Sequence, residues 1–184
     1  MGSLQALARE IGADERTLRR AVEEGTIRGV RPSPRMLSLD ATERAYLAGH
    51  WDVLARLRRS LRTEPNVSLA VLYGSAARGT DDPGSDVDLL VAFRRQAPRS
   101  AAQLAQRLGG ALDREVDVAR LDLVLANEPL LAVTALDEGR VLVDRDRQWR
   151  RLRRRRAHLV RRAAELHEAR RRRVAAALAE HDAR

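Results

Sequence analysis

A chain of 184 residues, 44% hydrophobic and only 3% aromatic, can bury a core of Leu, Val and Ala but cannot build large aromatic stacking surfaces. All 35 basic residues are Arg, and against 26 acids they leave a net charge of +9; this suits a polyanionic partner, although Arg for Lys beside so much Ala also marks a coding bias. The absence of cysteine excludes disulfides, thiolate nucleophiles and zinc fingers. No apolar run approaches the roughly 20 residues of a membrane helix, and no leader or myristoylation signal is evident, so a soluble cytoplasmic protein with no membrane partner is expected.

The charge is unevenly placed, at +3 over residues 1–66, −4 over 67–146 and +10 over 147–184. Basic arms suit nucleic acid, whereas an acidic centre is what a cation site produces. In chain order, Leu4, Leu7, Ala8 and Ile11 make one stripe of a short helix that Gly12 ends. Asp14 caps a second helix over about Glu15 to Glu24, burying Leu18 and Val22 and turning Arg16, Thr17, Arg19 and Arg20 outward. From Thr26 to Leu39, alternation on both sides of a Pro-rich tip predicts a hairpin. This run from Leu4 to Leu39 resembles the winged helix-turn-helix domains of MerR-type and excisionase-type DNA-binding proteins. The resemblance implies that Arg16, Thr17, Arg19 and Arg20 meet duplex DNA, with Arg31 and Arg35 of the wing near phosphate.

Asp40-Ala41-Thr42-Glu43 resembles a capping box and opens a helix carrying Tyr46, Leu47, Trp51, Leu54, Leu57 and Leu61, which ends before Pro65. Val67 to Tyr73 predicts a strand that runs into Gly74-Ser75, then ten residues, then Asp86-Val87-Asp88. If residues 86–88 are extended, Asp86 and Asp88 point to one side while Val87 enters the core. Two adjacent carboxylates repel unless a cation neutralises them, and hard oxygen ligands suit Mg²⁺ or Mn²⁺. Gly74 allows close backbone approach to a ligand, and Ser75 adds a hydroxyl and an N–H for phosphate. Arg78 reads equally as a phosphate contact or as one more arginine; Asp81 and Asp82 read as solvated loop residues.

Leu72 to Val91 looks like the signature of the DNA polymerase β superfamily of nucleotidyltransferases, in particular its minimal bacterial members. The resemblance assigns Gly74 and Ser75 to a triphosphate, Asp86 and Asp88 to metals, and asks for a third carboxylate on a neighbouring strand. Glu115 to Ala119 is that strand; Asp117, 29 residues after Asp88, is the choice over Asp113, Glu115 and Asp122. A helix over Ser100 to Leu108, another after Pro129 and a short strand over Arg140 to Val143 complete the family plan. The expected fold is α/β (α+β), a small mixed sheet with helices on one face.

Gln148 to Ala179 lacks Pro and Gly and predicts one long helix. Leu152, Leu159 and Leu166 repeat every seven residues, but Arg170 and Arg173 break the seam, so the first half should pack and the second project. Arg153 to Arg156 and Arg170 to Arg173 either touch a nucleic-acid backbone or form a solvated face. His158 and His167 get no role.

These readings divide the chain into a DNA-binding domain at 1–40, a nucleotidyltransferase domain with its leading helix at 41–146 and an Arg-rich helix at 147–184. The expected reaction moves a nucleoside monophosphate, AMP first, from ATP or another NTP to an acceptor hydroxyl. Asp86, Asp88 and Asp117 hold the metals, and Gly74, Ser75 and Arg78 the nucleotide. Minimal nucleotidyltransferases that serve as antitoxins supply the acceptor, a cognate toxin protein or RNA, and the N-terminal domain would then control their own operon. A second copy in a homodimer is a further expected partner. The alternatives are a transcriptional regulator that binds metal and nucleotide without turnover, and an aminoglycoside-modifying enzyme, for which a DNA-binding module would be odd.

Overall fold

The computed structural model describes residues 4–33, 36–95 and 99–182, with side chains described there except at 31–33, 36 and 176–182. Helices α1 (Leu4–Glu10) and α2 (Glu15–Glu24) bury Leu7, Ala8, Leu18 and Ala21, while Val22 is only half-buried. Asp14 caps α2 by accepting the Thr17 N–H at 2.8 Å. Strands β1 (Val30–Ser33) and β2 (Met36–Ser38) pair antiparallel as a hairpin. Helix α3 (Ala41–Arg62) starts at Asp40, which accepts the Glu43 N–H at 2.7 Å, and buries all six apolar residues its spacing selects. The Glu43 side chain, instead of completing a capping box, is drawn inward to Arg140.

The centre comprises β3 (Val67–Tyr73), α4 (Gly74–Arg78), β4 (Val87–Phe93), α5 (Ser100–Leu112), β5 (Val116–Arg120), α6 (Leu121–Asn127), α7 (Pro129–Glu138) and β6 (Arg140–Asp144). The strands lie in the order β5-β4-β3-β6, parallel only between β4 and β5, which makes a mixed sheet. Helices cover both faces, not one. Ala70, Leu72, Leu89 and Val118 face α3 and α5, while Leu69, Val71 and Leu90 face α6 and α7. The reason is visible in β3, buried at all seven positions: a strand apolar on both sides must be covered on both. Helix α5 runs four residues beyond Leu108 because Leu104, Leu108 and Leu112 form one buried stripe, and the chain leaves it at Asp113 with φ 57°.

At the C-terminal end the expected single helix is two, α8 (Gln148–Arg154) and α9 (Arg156–Asp182), separated by Arg155. Asp144 accepts the Gln148 N–H at 2.8 Å, fixing the entry to α8. Arg156 then pairs with Asp137 at 2.6 Å, so α9 starts against α7, and Leu152 and Leu159 are buried beneath. The described side chains from 167 to 175 are exposed. The N-terminal elements share the central core: Leu7, Leu18 and Ile27 cluster with Leu47, Leu72 and Leu89. Val141 N–H donates to the Gly25 carbonyl at 3.1 Å, joining β6 to the end of α2.

Candidate active site

Two strand ladders set three polar side chains in a row at one end of the sheet. Tyr73 is opposite Asp88 in the β3–β4 pair, and Asp88 is opposite Asp117 in the β4–β5 pair. Opposed residues share a face, and like charges directly opposed repel. The Asp88 pKa is accordingly raised, first by burial and then by Asp117 and Asp86, with Arg78 acting against them. The Tyr73 hydroxyl is pushed up to about 12 by burial, then by Asp88, Asp117 and Glu128. Asp86 is exposed and lies one residue before β4, so the loop end and not strand alternation brings it near Asp88. The donor set is entirely carboxylate oxygen, and the repulsion raising Asp88 is what a divalent cation relieves, so these residues fit Mg²⁺ or Mn²⁺. As they stand, no three acidic or histidine side chains among the described residues converge as a finished metal cage.

Gly74 connects β3 to α4 at φ +74°. A Cβ there would overlap Asp88 Oδ2 and come within 3.2 Å of its Cγ, so both backbone and contact exclude a larger residue. The half-buried Ser75 follows, and its carbonyl accepts the Gly79 N–H at 2.8 Å. Gly79 ends the turn at φ +78° with its α-carbon against the Tyr46 ring. Gly74 N–H donates to Glu138 Oε1 at 3.0 Å, and the Arg78 guanidinium donates to both Glu138 oxygens at 2.8 Å. Arg78 is therefore exposed but paired. Glu138 had no signal in the sequence, because it lies 64 residues from Gly74 and reaches it only through the fold.

Buried side chains hold α4 from beneath. Tyr46 donates its hydroxyl to the Ala76 carbonyl at 3.0 Å, and Arg140 Nε donates to the Ala77 carbonyl at 2.8 Å. Arg140 stacks over the Tyr46 ring at 3.4 Å and makes two bonds to Glu43, at 2.6 and 2.9 Å. The loop after α4 is also fixed. The Asp81 carboxylate, only 4% exposed, meets His50 Nε2 at 2.8 Å and Arg114 at 2.9 Å, so it is not the solvated residue expected. Burial pushes the Asp81 pKa up, but the bonds from His50 and Arg114 outweigh it and hold the carboxyl below its ordinary value. Arg114 also donates to the Ser85 carbonyl, one residue before Asp86. Of the rivals to Asp117, Asp122 pairs with Arg120 at 2.8 Å, Asp113 caps α5, and Glu115 is exposed just before β5.

On α2, Arg16 is exposed, Arg19 pairs with Glu15 at 2.5 Å, Arg20 pairs with Glu24 at 2.7 Å, and Thr17 bonds Asp14. These four form no common site with the carboxylates. The Arg31 side chain and the whole of Arg35 lie outside the described residues.

The family described as polymerase beta, nucleotidyltransferase matches residues 56–148, from the second half of α3 to the start of α8. The chain belongs to that family. In this chain the matched stretch carries the whole four-stranded sheet, α4 and the three carboxylates Asp86, Asp88 and Asp117. No curated protein is similar enough to count as a match. Among solved structures, a toxin–antitoxin with AMP-PNP is 22% identical, covers 68% of this chain and 98% of its own, and superposes at TM-score 0.53. Two mutants of the toxin–antitoxin MntA-HpeT are similar: one at 20% identity, 68% and 98% coverage and TM-score 0.53, the other at 22%, 67% and 96%, and 0.51. At such identities the likeness shows a shared fold.

Proposed function

We propose that this nucleotidyltransferase moves AMP from ATP, or another NMP from its NTP, to an acceptor hydroxyl on a protein or RNA with loss of pyrophosphate. The single observation that carries this reading is the opposition of Asp88 and Asp117 across parallel strands, beside a glycine that leaves no room for a side chain. In this reading Asp86, Asp88 and Asp117 hold Mg²⁺ or Mn²⁺, which supplies charge neutralisation at the triphosphate and at the attacking oxygen. The chain's own groups do the rest. The Gly74 N–H, the Ser75 hydroxyl and the Arg78 guanidinium bind phosphate oxygens, Asp117 takes the acceptor proton, and the buried Tyr46 and Arg140 keep α4 in place.

The relatives of like fold are toxin–antitoxin proteins, one of them with AMP-PNP, and this supports a cognate toxin as acceptor, modified and silenced by this chain. The helices and hairpin over residues 4–38 are compatible with binding duplex DNA, which in such a pair would regulate its own operon. The ion pairs on α2 do not oppose this, since exposed i,i+4 pairs contribute only about 0.3–0.5 kcal/mol and are readily exchanged for phosphate.

Labelled ATP, Mg²⁺ and extract from cells expressing a helical ribonuclease-like toxin test the proposal. Wild-type protein should transfer label to the toxin or to RNA, and Asp88→Asn should transfer none. Tight nucleotide binding with no labelled product across all four NTPs would instead identify a regulator without turnover.

A further inference from the structure

The two best donors of the phosphate-binding loop are already occupied by a carboxylate of the same chain. Glu138 accepts from the Gly74 N–H at 3.0 Å and from Arg78 at 2.8 Å with each oxygen. A carboxylate held by a backbone N–H and a guanidinium uses the same bonds as a pair of phosphate oxygens. Glu138 is also placed where electrostatics oppose it, because it is among the charges that raise the Asp88 pKa. It is thus a further negative charge near Asp88, held by Arg78, which acts against the carboxylates on Asp88.

The main chain at Glu138 is pinned independently of its side chain, whose bonds are to the two donors that a phosphate would take. Its carbonyl accepts from the Arg28 guanidinium, and Arg28 N–H donates to Glu43 Oε1 at 2.9 Å. At the next residue a Cβ would overlap the Ala135 carbonyl and approach Val71 Cγ1 to 2.6 Å, so the end of α7 is tightly packed. The Glu138 side chain is 21% exposed and its partner Arg78 47% exposed, so the pair lies at the surface, and a rotamer change at Glu138 would release both donors without moving α7.

We propose that Glu138 is a built-in competitor for substrate phosphate, lying on Gly74 and Arg78 until a polyphosphate displaces it. The inference rests on the reading of those two residues as phosphate ligands. Its consequence is a lowered apparent affinity: a site that is open only a fraction of the time binds more weakly by that fraction. Free enzyme thereby keeps Arg78 ordered and exchanges one anion for another on binding.

The experiment is titration calorimetry of the full-length protein with Mg²⁺ and either ATP or inorganic tripolyphosphate. Wild type is compared with Glu138→Gln, which keeps the shape but not the charge, and with Glu138→Ala, which removes both. Both variants should bind tripolyphosphate more tightly, by about tenfold if Glu138 occupies the site nine-tenths of the time. In Arg78→Ala/Glu138→Gln the gain should disappear. Unchanged or weaker tripolyphosphate binding in both variants overturns the inference, and weaker binding makes Glu138 a support for Arg78 instead. Tighter tripolyphosphate binding without any ATP binding upholds the inference and removes the nucleotide reading. Label transfer by wild type with no gain in either variant does the reverse.

Discussion

Asp88, the proposed metal carboxylate, is placed against the interests of stability. An acid whose folded-state pKa is raised destabilises the fold once ionised, so the metal-free protein carries this cost at neutral pH. Asp88→Asn should therefore raise the Tm of metal-free protein at pH 7 while abolishing transfer, as calorimetric melting beside the labelled-ATP assay would show. Asp81 has the opposite sign. Its lowered pKa means that its bonds to His50 and Arg114 stabilise the fold above the ordinary carboxyl value of 3.8, and that this contribution is lost as pH falls through the lowered value. Asp81→Asn should melt below wild type at pH 7, and the gap should close in melts taken toward pH 3. Gly74 is the third such residue: Gly74→Ala would meet both a strained φ and the Asp88 carboxylate. The expected cost is about 1–2 kcal/mol from the backbone alone, before the overlap is counted, with loss of transfer. Urea unfolding and the same assay check both.

At the scale of elements, one buried ion pair ties four of them together. Arg140, from β6, is 2% exposed; it bonds Glu43 of α3, the Ala77 carbonyl of α4 and the Thr26 carbonyl that follows α2. Such a pair is weak evidence of net stability, because both ions are desolvated, but breaking it leaves a charge alone in the core. Arg140→Met should cost about 3–5 kcal/mol in urea unfolding, and adding Glu43→Gln should recover part of that by removing the lone carboxylate. Additive losses in the two variants would show that the pair does not act as a unit. Because Arg140 also holds the last turn of α4, the single variant should raise KM for nucleotide even where enough folded protein remains to assay.

For the whole molecule, charge and core give different divisions. The acidic centre and basic arms separate three stretches by sign, yet the apolar cluster runs unbroken from Leu7 through Leu47 to Leu89. The N-terminal elements and the sheet are thus physically joined, and a test of the proposed DNA reading is best made on the full chain. A base-reading α2 should prefer a specific operator over random duplex by about a thousandfold, with binding that falls steeply with salt. Arg19→Ala with Arg20→Ala should erase that preference in a duplex selection and spare nucleotide transfer. Equal binding of all duplexes by wild type would leave the N-terminal elements as a packing unit, with any polyanion binding due to the arginines of α8 and α9.

What the sequence determined by itself was local. The Asp14 and Asp40 caps, the apolar run of β3, the Gly-Ser turn and the Asp117 strand were all legible, because each depends on residues within a few positions or on a period of two. The long basic helix was legible in composition, but its break at Arg155 was not, since that follows from docking against α7. Which charges are structural emerges from long-range packing. Asp81 finds His50 across 31 positions, Gly74 and Arg78 find Glu138 across 64 and 60, and Glu43 finds Arg140 across 97. In a chain where a third of the residues are charged, every acid has many possible arginine partners; close packing, which no local pattern encodes, selects among them.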